Sequence, residues 1–519
     1  MTAPEKVEYA PTGSAETQWA KLDRRTVAVT ALFMAGFAAG AGLPTGIGIA
    51  GGSSVGTALL WVLPFAAVLI LAGTVLDYVR WRRTRYRVGA ERVELHTGIL
   101  IRRRRSLHRD RIRSVDVTAD PVSRLFGLVN VKIGTGEQPT SGDSTVVLRS
   151  VTRPVADSLR SGLLDRPVEA GISDGGRLAR LDPAWIRYAP LSFVAPLLGA
   201  GAFGAVLNVA EWFGMRKGVI DWVFDLFEGL PLVVGILILA AVGLAVGMVG
   251  SLGLFVENWW QFRLDREPGG TLRVRRGLLT TRSISIEEKR LRGVELVEPL
   301  GTRLFGAARV DAVATGMARQ SENDKAQHKT LLPTAPSSIA HRVAADVLRE
   351  PVAPSESVRL LGHPVAARGR RLRWALLAVL AVEVPLVVLG VLLTDVLLHI
   401  AWTSALVLVP TLVLIALDAY RNLGHGLTGK YLVARSGSVR RATVALQRNG
   451  VIGWRAKQSI FQRRVGLLTL TATTAAGAGA YSIYDVGVSE GLSFAESAVP
   501  DLFAPFLEPA PEDRPHEKD

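Results

Sequence analysis

The 519-residue chain contains no cysteine. This absence excludes disulfides, thiolate-bound zinc, iron–sulfur clusters and thiol nucleophiles, and it suits folded parts that face a reducing compartment. Catalytic signatures are missing too, since there is no H-E-x-x-H motif, no phosphate-binding P-loop and no G-x-S-x-G motif. The eight histidines show no spacing typical of metal ligands. We therefore expect no enzymatic activity, no cofactor and no bound metal.

Charged residues are almost absent from six long stretches of the chain. Hydrophobic residues make up 49% of it although the net charge is +15, so apolar and basic residues are segregated. Runs of about 20 apolar residues are typical of membrane-spanning helices, and buried core helices of that length seldom lack charges on every face. The runs form pairs at residues 26–46 and 57–76, 190–210 and 230–256, and 374–394 and 400–417. The sequence predicts six spans in three helical hairpins.

Lysine and arginine are scarce in the three loops that join the paired runs. The first and third loops have none, and the second has only Arg216 and Lys217 against four acidic residues. Basic clusters (KLDRR, RWRRTRYR, RGRRLR) flank the other helix ends. Because cytoplasmic flanks carry the excess of basic residues, we expect a multi-pass plasma-membrane protein with both termini and all globular segments in the cytoplasm. The second loop suits equally an interfacial amphipathic helix and a loop.

A stretch of 30 residues occurs twice without a gap. GILIRRRRSLHRDRIRSVDVTADPVSRLFG (98–127) aligns with GLLTTRSISIEEKRLRGVELVEPLGTRLFG (277–306), and a weaker third copy lies at 437–466. The opening glycines stand where a hairpin turn favours a positive φ: Gly98, Gly277 and Gly437. The closing motif is interpreted as structural, with its arginine at a strand–turn and its Leu and Phe in the core: Arg124, Leu125, Phe126 and Gly127, and Arg303, Leu304, Phe305 and Gly306.

The hydrophobic pattern within each copy alternates with a period of two, which predicts β-strands. It then changes to a helical pattern in RPVADSLRSGLL and SSIAHRVAADVLRE. The candidate helix of the third copy is EGLSFAESAVPDLFAPFLE, which Pro500 and Pro505 interrupt. The predicted fold class is an α+β polytopic membrane protein, in which three transmembrane hairpins are interleaved with three small β-barrels, each closed by a C-terminal helix.

The order of these motifs resembles a known family. A hairpin, a Y-x-V strand, G-[IL]-[LI], a basic run, R-[IL]-R-x-V and RLFG follow one another as in the bacterial pleckstrin-homology (PH) domains of the YdbS/YdbT-like membrane proteins. YdbT-like members carry three such domains interleaved with paired membrane helices. The resemblance covers about residues 21–508, strongly in the first two copies and weakly in the third. It implies PH-like barrels capped by a helix, and it implies no known reaction.

The predicted organisation alternates membrane and globular segments. Its parts are a disordered tail (1–20), hairpin 1 (21–79), PH-like domain 1 (80–166), a linker (167–185), hairpin 2 (186–260), PH-like domain 2 (261–350), a linker (351–370), hairpin 3 (371–420), a degenerate PH-like domain 3 (421–508) and a disordered tail (509–519).

The candidate binding site is rich in arginine. Guanidinium groups pair well with phosphate, so anionic lipid headgroups are the favoured ligand and an acidic protein segment is nearly as suitable. Along a strand, at most two of the four consecutive arginines share a face. The alternative is that these residues only set topology and solubility. The candidates are Arg102, Arg103, Arg104, Arg105, Arg109, Arg111 and Arg113, with Arg290 and Arg292 in the second copy.

Polar and small residues inside the spans suggest further roles. Glu383 is the only ionisable residue well inside a span, and we favour a protonated or hydrogen-bonded structural role for it. The pairs Gly36/Gly40 and Gly243/Gly247 have the G-x-x-x-G spacing of closely packed helices, within the chain or in a homo-oligomer.

The sequence is compatible with three classes of function. The leading hypothesis is a non-enzymatic membrane protein that presents three PH-like domains to anionic lipids or a protein partner, in envelope maintenance or stress defence. A transporter or channel that uses Glu383 is the alternative. Nucleic-acid binding is disfavoured because the basic residues flank the membrane runs and lack interleaved aromatics.

Overall fold

The structure is a computed structural model that describes residues 19–89, 91–98, 102–112, 114–134, 145–164, 176–315 and 329–502. Residues 1–18 and 509–519 of the predicted tails, residues 167–175 of the first linker, and Arg113 lie outside the described residues. The fold mixes long helices with several small antiparallel sheets.

The order of elements repeats three times along the chain. The first repeat contains β1 (Ala20–Lys21), α1 (Arg25–Gly52), α2 (Val55–Arg83), β2 (Arg85–Val88), β3 (Arg92–Thr97), β4 (Arg103–His108), β5 (Ser114–Ala119), α3 (Pro121–Leu125), β6 (Leu128–Gly134), β7 (Thr145–Thr152) and α4 (Arg153–Leu164). The second contains β8 (Gly176–Arg180), α5 (Val194–Trp212), α6 (Arg216–Leu226), α7 (Leu232–Trp259), β9 (Arg263–Glu267), β10 (Thr271–Arg276), β11 (Thr281–Glu287), β12 (Leu291–Pro299), α8 (Leu300–Leu304), β13 (Ala307–Ala314), β14 (Thr330–Pro336), α9 (Ser337–Leu348) and α10 (Pro354–Ser357). The third contains α11 (Val365–Leu393), α12 (Asp395–Arg421), β15 (Gly424–Thr428), β16 (Tyr431–Ser436), β17 (Arg440–Gln447), β18 (Val451–Lys457), α13 (Ile460–Arg463), β19 (Leu467–Thr474), β20 (Ala480–Gly487) and α14 (Val488–Ala498).

Among the described residues, six helices are long and apolar enough to cross a membrane: α1, α2, α5, α7, α11 and α12. They lie at the six predicted runs, and several extend into the basic flanks, because arginine and lysine are also good helix formers. In the second loop, the helical alternative is correct, since α6 occupies residues 216–226. The opening glycine of each copy has a positive φ, of 132° at Gly98, 111° at Gly277 and 98° at Gly437, as predicted.

The chain divides into two compact units, and the first comprises Met1–Val168, Val206–Glu228 and Leu279–Ile284. In this unit β1–β4 form one antiparallel sheet, and β5, β6 and β7 are neighbours in another. Residues 281–283 of β11 pair with β5. The core lies between these sheets and α4 and includes Val93, Leu107, Val131 and Leu148.

In the second unit, one sheet runs from the second repeat into the third. Its order is β14–β13–β12–β17–β16–β15, and the register of β12 and β17 extends from Gly293 opposite Leu446 to Pro299 opposite Arg440. A Cβ on Gly293 would overlap the carbonyl of Ala445, so this close approach needs glycine. Strands β18, β19 and β20 form a separate sheet. The described strand pairing does not show a separately closed barrel within each repeat. The backbone groups at the edge of β12 pair instead with β17 of the next repeat.

Close helix packing occurs at one of the two predicted glycine pairs. A Cβ added to Gly247 would overlap the carbonyl of Ala195, and one added to Gly199 would overlap that of Gly243. Gly36 and Gly40 instead have open space at the Cβ position. The first pair therefore does not pack closely within the chain, and packing of this pair in a homo-oligomer stays a prediction.

We expect Gly199→Ala to lower the melting temperature of the full chain in detergent. The added methyl has no room against the α7 backbone, and such overpacking typically costs about 1–3 kcal/mol. Gly201→Ala is the matched control, because its Cβ position is open. Equal melting temperatures for the two variants would show that α5 and α7 do not pack in this way.

Candidate functional site

The consecutive arginines of the first repeat lie along the start of β4. Arg102, Arg103 and Arg104 are exposed and Arg105 is half-buried. Strand β4 pairs with β3, which places Arg104 opposite His96. The exposed arginines therefore lie along the start of one strand.

The remaining predicted arginines are engaged elsewhere or are not described. The guanidinium of Arg109 donates to the carbonyls of Gly162 in α4 and Gly89. Arg290 is only 8% exposed and forms a 3.0 Å ion pair with Glu287, so little of this candidate side chain is accessible to a ligand. Arg292 is half-buried against Gly450. The side chain of Arg111 lies outside the described residues, like the whole of Arg113.

An arginine at the position of Arg109 contacts the final helix in the first and third repeats. In the third repeat, Arg448 occupies this position and donates to the carbonyls of Ala498 and Ser497 at the end of α14. The last carbonyls of a helix lack partners within it, and a cation near them is favoured by the helix dipole. This is a structural use of arginine that the sequence alone does not distinguish from ligand binding.

A cavity of about 190 Å³ lies beside the end of the first hairpin, within the first unit. Residues of α1, α2, α3, β6 and β7 line it. Thr26 begins the first predicted apolar run, and Asp77 directly follows the second run at 57–76. Because both residues line the cavity, it lies at the level where the hairpin becomes apolar.

The acidic groups of the cavity are satisfied by neighbours. Thr30 Oγ1 donates to Asp77 Oδ2 at 2.9 Å. The carboxylate of Asp120 accepts from the backbone N–H and from the hydroxyl of Ser123, both at 2.8 Å. These carboxylates are therefore held within the wall.

The two arginines of the cavity differ from its carboxylates in their hydrogen bonding. Among the described residues, no hydrogen bond or ion pair engages the guanidinium of Arg80 or Arg149. Burial lowers the pKa of Arg149, nearby Arg80 lowers it further, and Asp77 opposes both effects. Both side chains are exposed. Two guanidinium groups that repel each other on the wall of one cavity favour an anion between them, and phosphate suits the guanidinium fork.

The pair Arg80 and Arg149 is not evident from the sequence. Arg80 belongs to the RWRRTRYR flank, whose basic residues are explained by topology alone. Arg149 is a single basic residue in a strand, 69 positions further along the chain. Only the packing of β7 against the hairpin brings the two together, so no local signal predicts them.

The RLFG motif lies in a short helix and the turn that follows it. Leu125 is 78% exposed, Leu304 74% and Phe305 64%, so the prediction that the Leu and Phe lie in the core is wrong for these residues. The strand has ended before the motif begins, and the apolar side chains project from the tip of the turn. Arg303 does have a structural contact, because it donates to Asp418 Oδ2 at 2.7 Å near the end of α12.

Another ionic contact joins the strands of the third repeat to the hairpin of the same repeat. The carboxylate of Asp485 is fully buried and accepts from Arg370 at 2.6 Å and Arg371 at 3.4 Å. Gln462 of α13 also donates to it at 2.9 Å. These two arginines come from the basic flank RGRRLR. Part of the positive charge beside the spans therefore has a structural role in addition to setting topology.

Glu383 lies in the contact between α11 and α12. It is buried, and the hydroxyl of Ser404 donates to its Oε1 at 2.9 Å. Within the described part of the chain, no cluster of three or more His, Asp or Glu residues suits a metal ion. A single carboxyl with one hydroxyl partner provides no relay of ionisable groups across the membrane.

Two buried histidines form the most unusual titratable pair of the third repeat. His363 Nε2 and His425 Nδ1 are 3.0 Å apart. His425 Nε2 lies 3.7 Å from Glu490. Burial lowers the pKa of His425 to about 4, and the neighbouring His363 contributes to this decrease.

Comparison with known proteins places the fold in a class. The family model of the bacterial PH domain matches residues 42–167 and 376–498, together just under half of the chain. These segments fall in the first and third repeats, although the internal repeat is clearest between the first and second. The chain is therefore a multi-pass membrane protein with bacterial PH domains.

One curated relative supports this assignment more specifically. The transmembrane protein YdbT of Bacillus subtilis (strain 168) is 22% identical over 264 residues, which are 48% of this chain and 53% of the relative. The chain thus resembles YdbT, and the similarity spans about half the length of that protein. No solved structure shows significant similarity to the chain.

We expect Arg303→Gln to lower the melting temperature of the full chain. Its loss removes the ion pair with Asp418, which keeps only neutral donors such as Ser438, and a hydrogen bond to a charged group contributes about 1.5–3 kcal/mol. The control is Arg463→Gln, because Arg463 is the aligned residue of the third repeat and is exposed. If the two variants melt alike, the ion pair does not stabilise the fold.

The stability of the chain is expected to fall as pH drops from about 6.5 toward 4, in part through His425. The folded chain takes up this proton only near pH 4, whereas the unfolded chain does so near the ordinary value of 6.5, so acid favours unfolding. The contribution is at most about 1.4 kcal/mol per pH unit. Between pH 7 and 5, the melting temperature should fall more steeply with decreasing pH for the native chain than for His425→Gln. The exposed His108→Gln variant should match the native chain, and equal slopes for all three would contradict the assignment.

Proposed function

We propose that the protein is a non-enzymatic membrane protein whose three PH-like domains, one after each hairpin, face the cytoplasmic leaflet, and that the first binds the phosphate of anionic lipid headgroups. The observation that carries the proposal is the pair Arg80 and Arg149 in one cavity beside the first hairpin. Such tethered lipid recognition suits the role in envelope maintenance or stress defence that we infer from the sequence.

The position of the cavity favours a lipid ligand over a free solute. Thr26 and Thr30 of α1 and Asp77 of α2 line it, so its level is that of the headgroups of a bilayer spanned by these helices. A cation near an anionic leaflet gains roughly 1 kcal/mol. The chain is anchored in the same bilayer, so the local concentration of headgroups is high and a weak intrinsic affinity suffices.

Cytoplasmic presentation is supported by the distribution of charge. The exposed arginines at the start of β4 add positive potential to the same domain and would strengthen its attraction to an anionic surface. An acidic segment of a protein partner or of a second copy of the chain is the other ligand that this surface suits.

The headgroup site is tested with the full chain in detergent. We expect dihexanoyl phosphatidylglycerol to raise its melting temperature more than dihexanoyl phosphatidylcholine or inorganic phosphate does, because the lipid binds the folded state. Arg149→Gln should abolish the difference, and Arg149→Lys should restore only part of it, since an ammonium cannot form the guanidinium fork. Arg92→Gln, at an exposed position on β3, should behave as the native chain.

Two outcomes would contradict the proposed site. If Arg149→Gln responds to phosphatidylglycerol like the native chain, the cavity is not the binding site. If the response disappears only when Arg102, Arg103, Arg104 and Arg105 are all replaced by Gln, the anion binds along β4 instead.

A further inference from the structure

Each repeat exposes large apolar side chains on the short helix that follows β5, β12 or β18. In the first repeat this is Leu125 of α3, and in the second it is Leu304 of α8 together with Phe305. In the third repeat, Arg464 and Val465 stand where the Leu and Phe stand in the others. There Ile460 and Phe461 of α13 are exposed instead, one turn earlier. The apolar tip is thus retained although the sequence motif is not.

The tip of the second repeat lies at the level where a span begins. Arg303 bonds to Asp418, which directly follows the last predicted apolar run at 400–417. Gly301 packs so closely on the carbonyl of Leu191 that a Cβ there would overlap it. Leu191 lies three residues before α5, and the neighbouring Phe193 is also exposed. Exposed apolar side chains therefore lie both on the tip and just before the membrane helix that it contacts.

The first repeat shows the same relation within the other unit. Arg25, the first residue of α1, donates to the carbonyl of Phe126 at 3.2 Å. Asp120 and Ser123, at the start of α3, line the same cavity as Thr26 and Thr30 of α1. Helix α3 consequently packs against the first turns of the span.

In the third repeat, Asp485 connects the short helix α13 to the membrane helix α11. Gln462 of α13 and Arg370 of α11 both donate to this carboxylate, at 2.9 and 2.6 Å. The predicted apolar run of α11 begins at residue 374, one turn after Arg370. All three short helices thus stand beside the ends of membrane helices.

We infer that these three tips, defined by Leu125, by Leu304 and Phe305, and by Ile460 and Phe461, insert into the interface of the leaflet nearest the domains. Apolar side chains exposed to water forfeit about 25 cal/mol for each Å² that could be buried, and amphipathic elements commonly enter the headgroup and acyl boundary. Exposed Arg124, Arg463 and Arg464 accompany the apolar residues, as suits an anionic surface. The insertion requires neither the arginine pair of the cavity nor an anionic ligand.

The absence of cysteine makes a direct test possible, because one introduced cysteine is the only thiol of the full chain. We would label Phe461→Cys with an environment-sensitive fluorophore and reconstitute the chain in phosphatidylcholine vesicles with and without brominated acyl chains. The matched control is Ile452→Cys, since Phe461 is 61% and Ile452 64% exposed. Ile452 lies near the far end of β18, about 17 Å along the strand from Lys457, the end nearest α13. Leu125→Cys and Leu304→Cys extend the test to the other two tips.

We expect the labels at the tips to be blue-shifted, to lose intensity in brominated vesicles and to resist quenching by aqueous iodide. The label at position 452 should show the reverse. Equal behaviour at 461 and 452 overturns the inference. A tip label that is shielded from iodide but unaffected by brominated lipid overturns it as well, because a protein then covers the tip. Neutral lipid is used so that failure of the headgroup proposal does not affect this result.

Discussion

The fold depends on the short distance between each membrane helix and the strands that follow it. Strand β2 begins two residues after α2, and β15 begins three residues after α12. The exposed faces of these helices are apolar along most of their length, and removing them from a bilayer would expose that surface to water. A sheet joined to such a helix without a linker cannot leave the membrane surface. The globular segments are therefore permanent neighbours of the lipid, whatever their own affinity for it.

Polar contacts at the helix ends fix the orientation of the segments as well as their distance. Asp418 accepts from Arg303 of the preceding repeat and from Ser438 of its own repeat. Asp485 performs a comparable role for Arg370 and Gln462. Such pairs stabilise only when their geometry and additional hydrogen bonds offset the desolvation of the charges, and both carboxylates have several donors. The short helices that carry the exposed apolar tips are placed by these same contacts.

The sequence predicts the parts of this structure that depend on local pattern. The six spans, the threefold repeat, the turn glycines and the resemblance to bacterial PH domains all follow from apolar runs, from alternation and from a motif read twice. The predictions fail where a tertiary partner decides the outcome. Leu304 and Phe305 are apolar residues of a kind usually found in a core, but they are exposed. Arg290 is a charged residue of a kind usually found at the surface, but it is buried. Arg149 was missed because its neighbour Arg80 belongs to another element. Pairing between repeats, as in β12 with β17, leaves no trace in either strand alone.

The sheet that passes from the second repeat to the third has a consequence for the third repeat, whose motif is the most divergent. Strand β17 covers the edge of β12 over seven residue pairs. A chain that ended after the second repeat would present that edge bare, and an uncovered strand recruits other chains and promotes aggregation. The third copy can therefore differ in its motif and still cover the edge of β12, which keeps that edge from pairing with another chain.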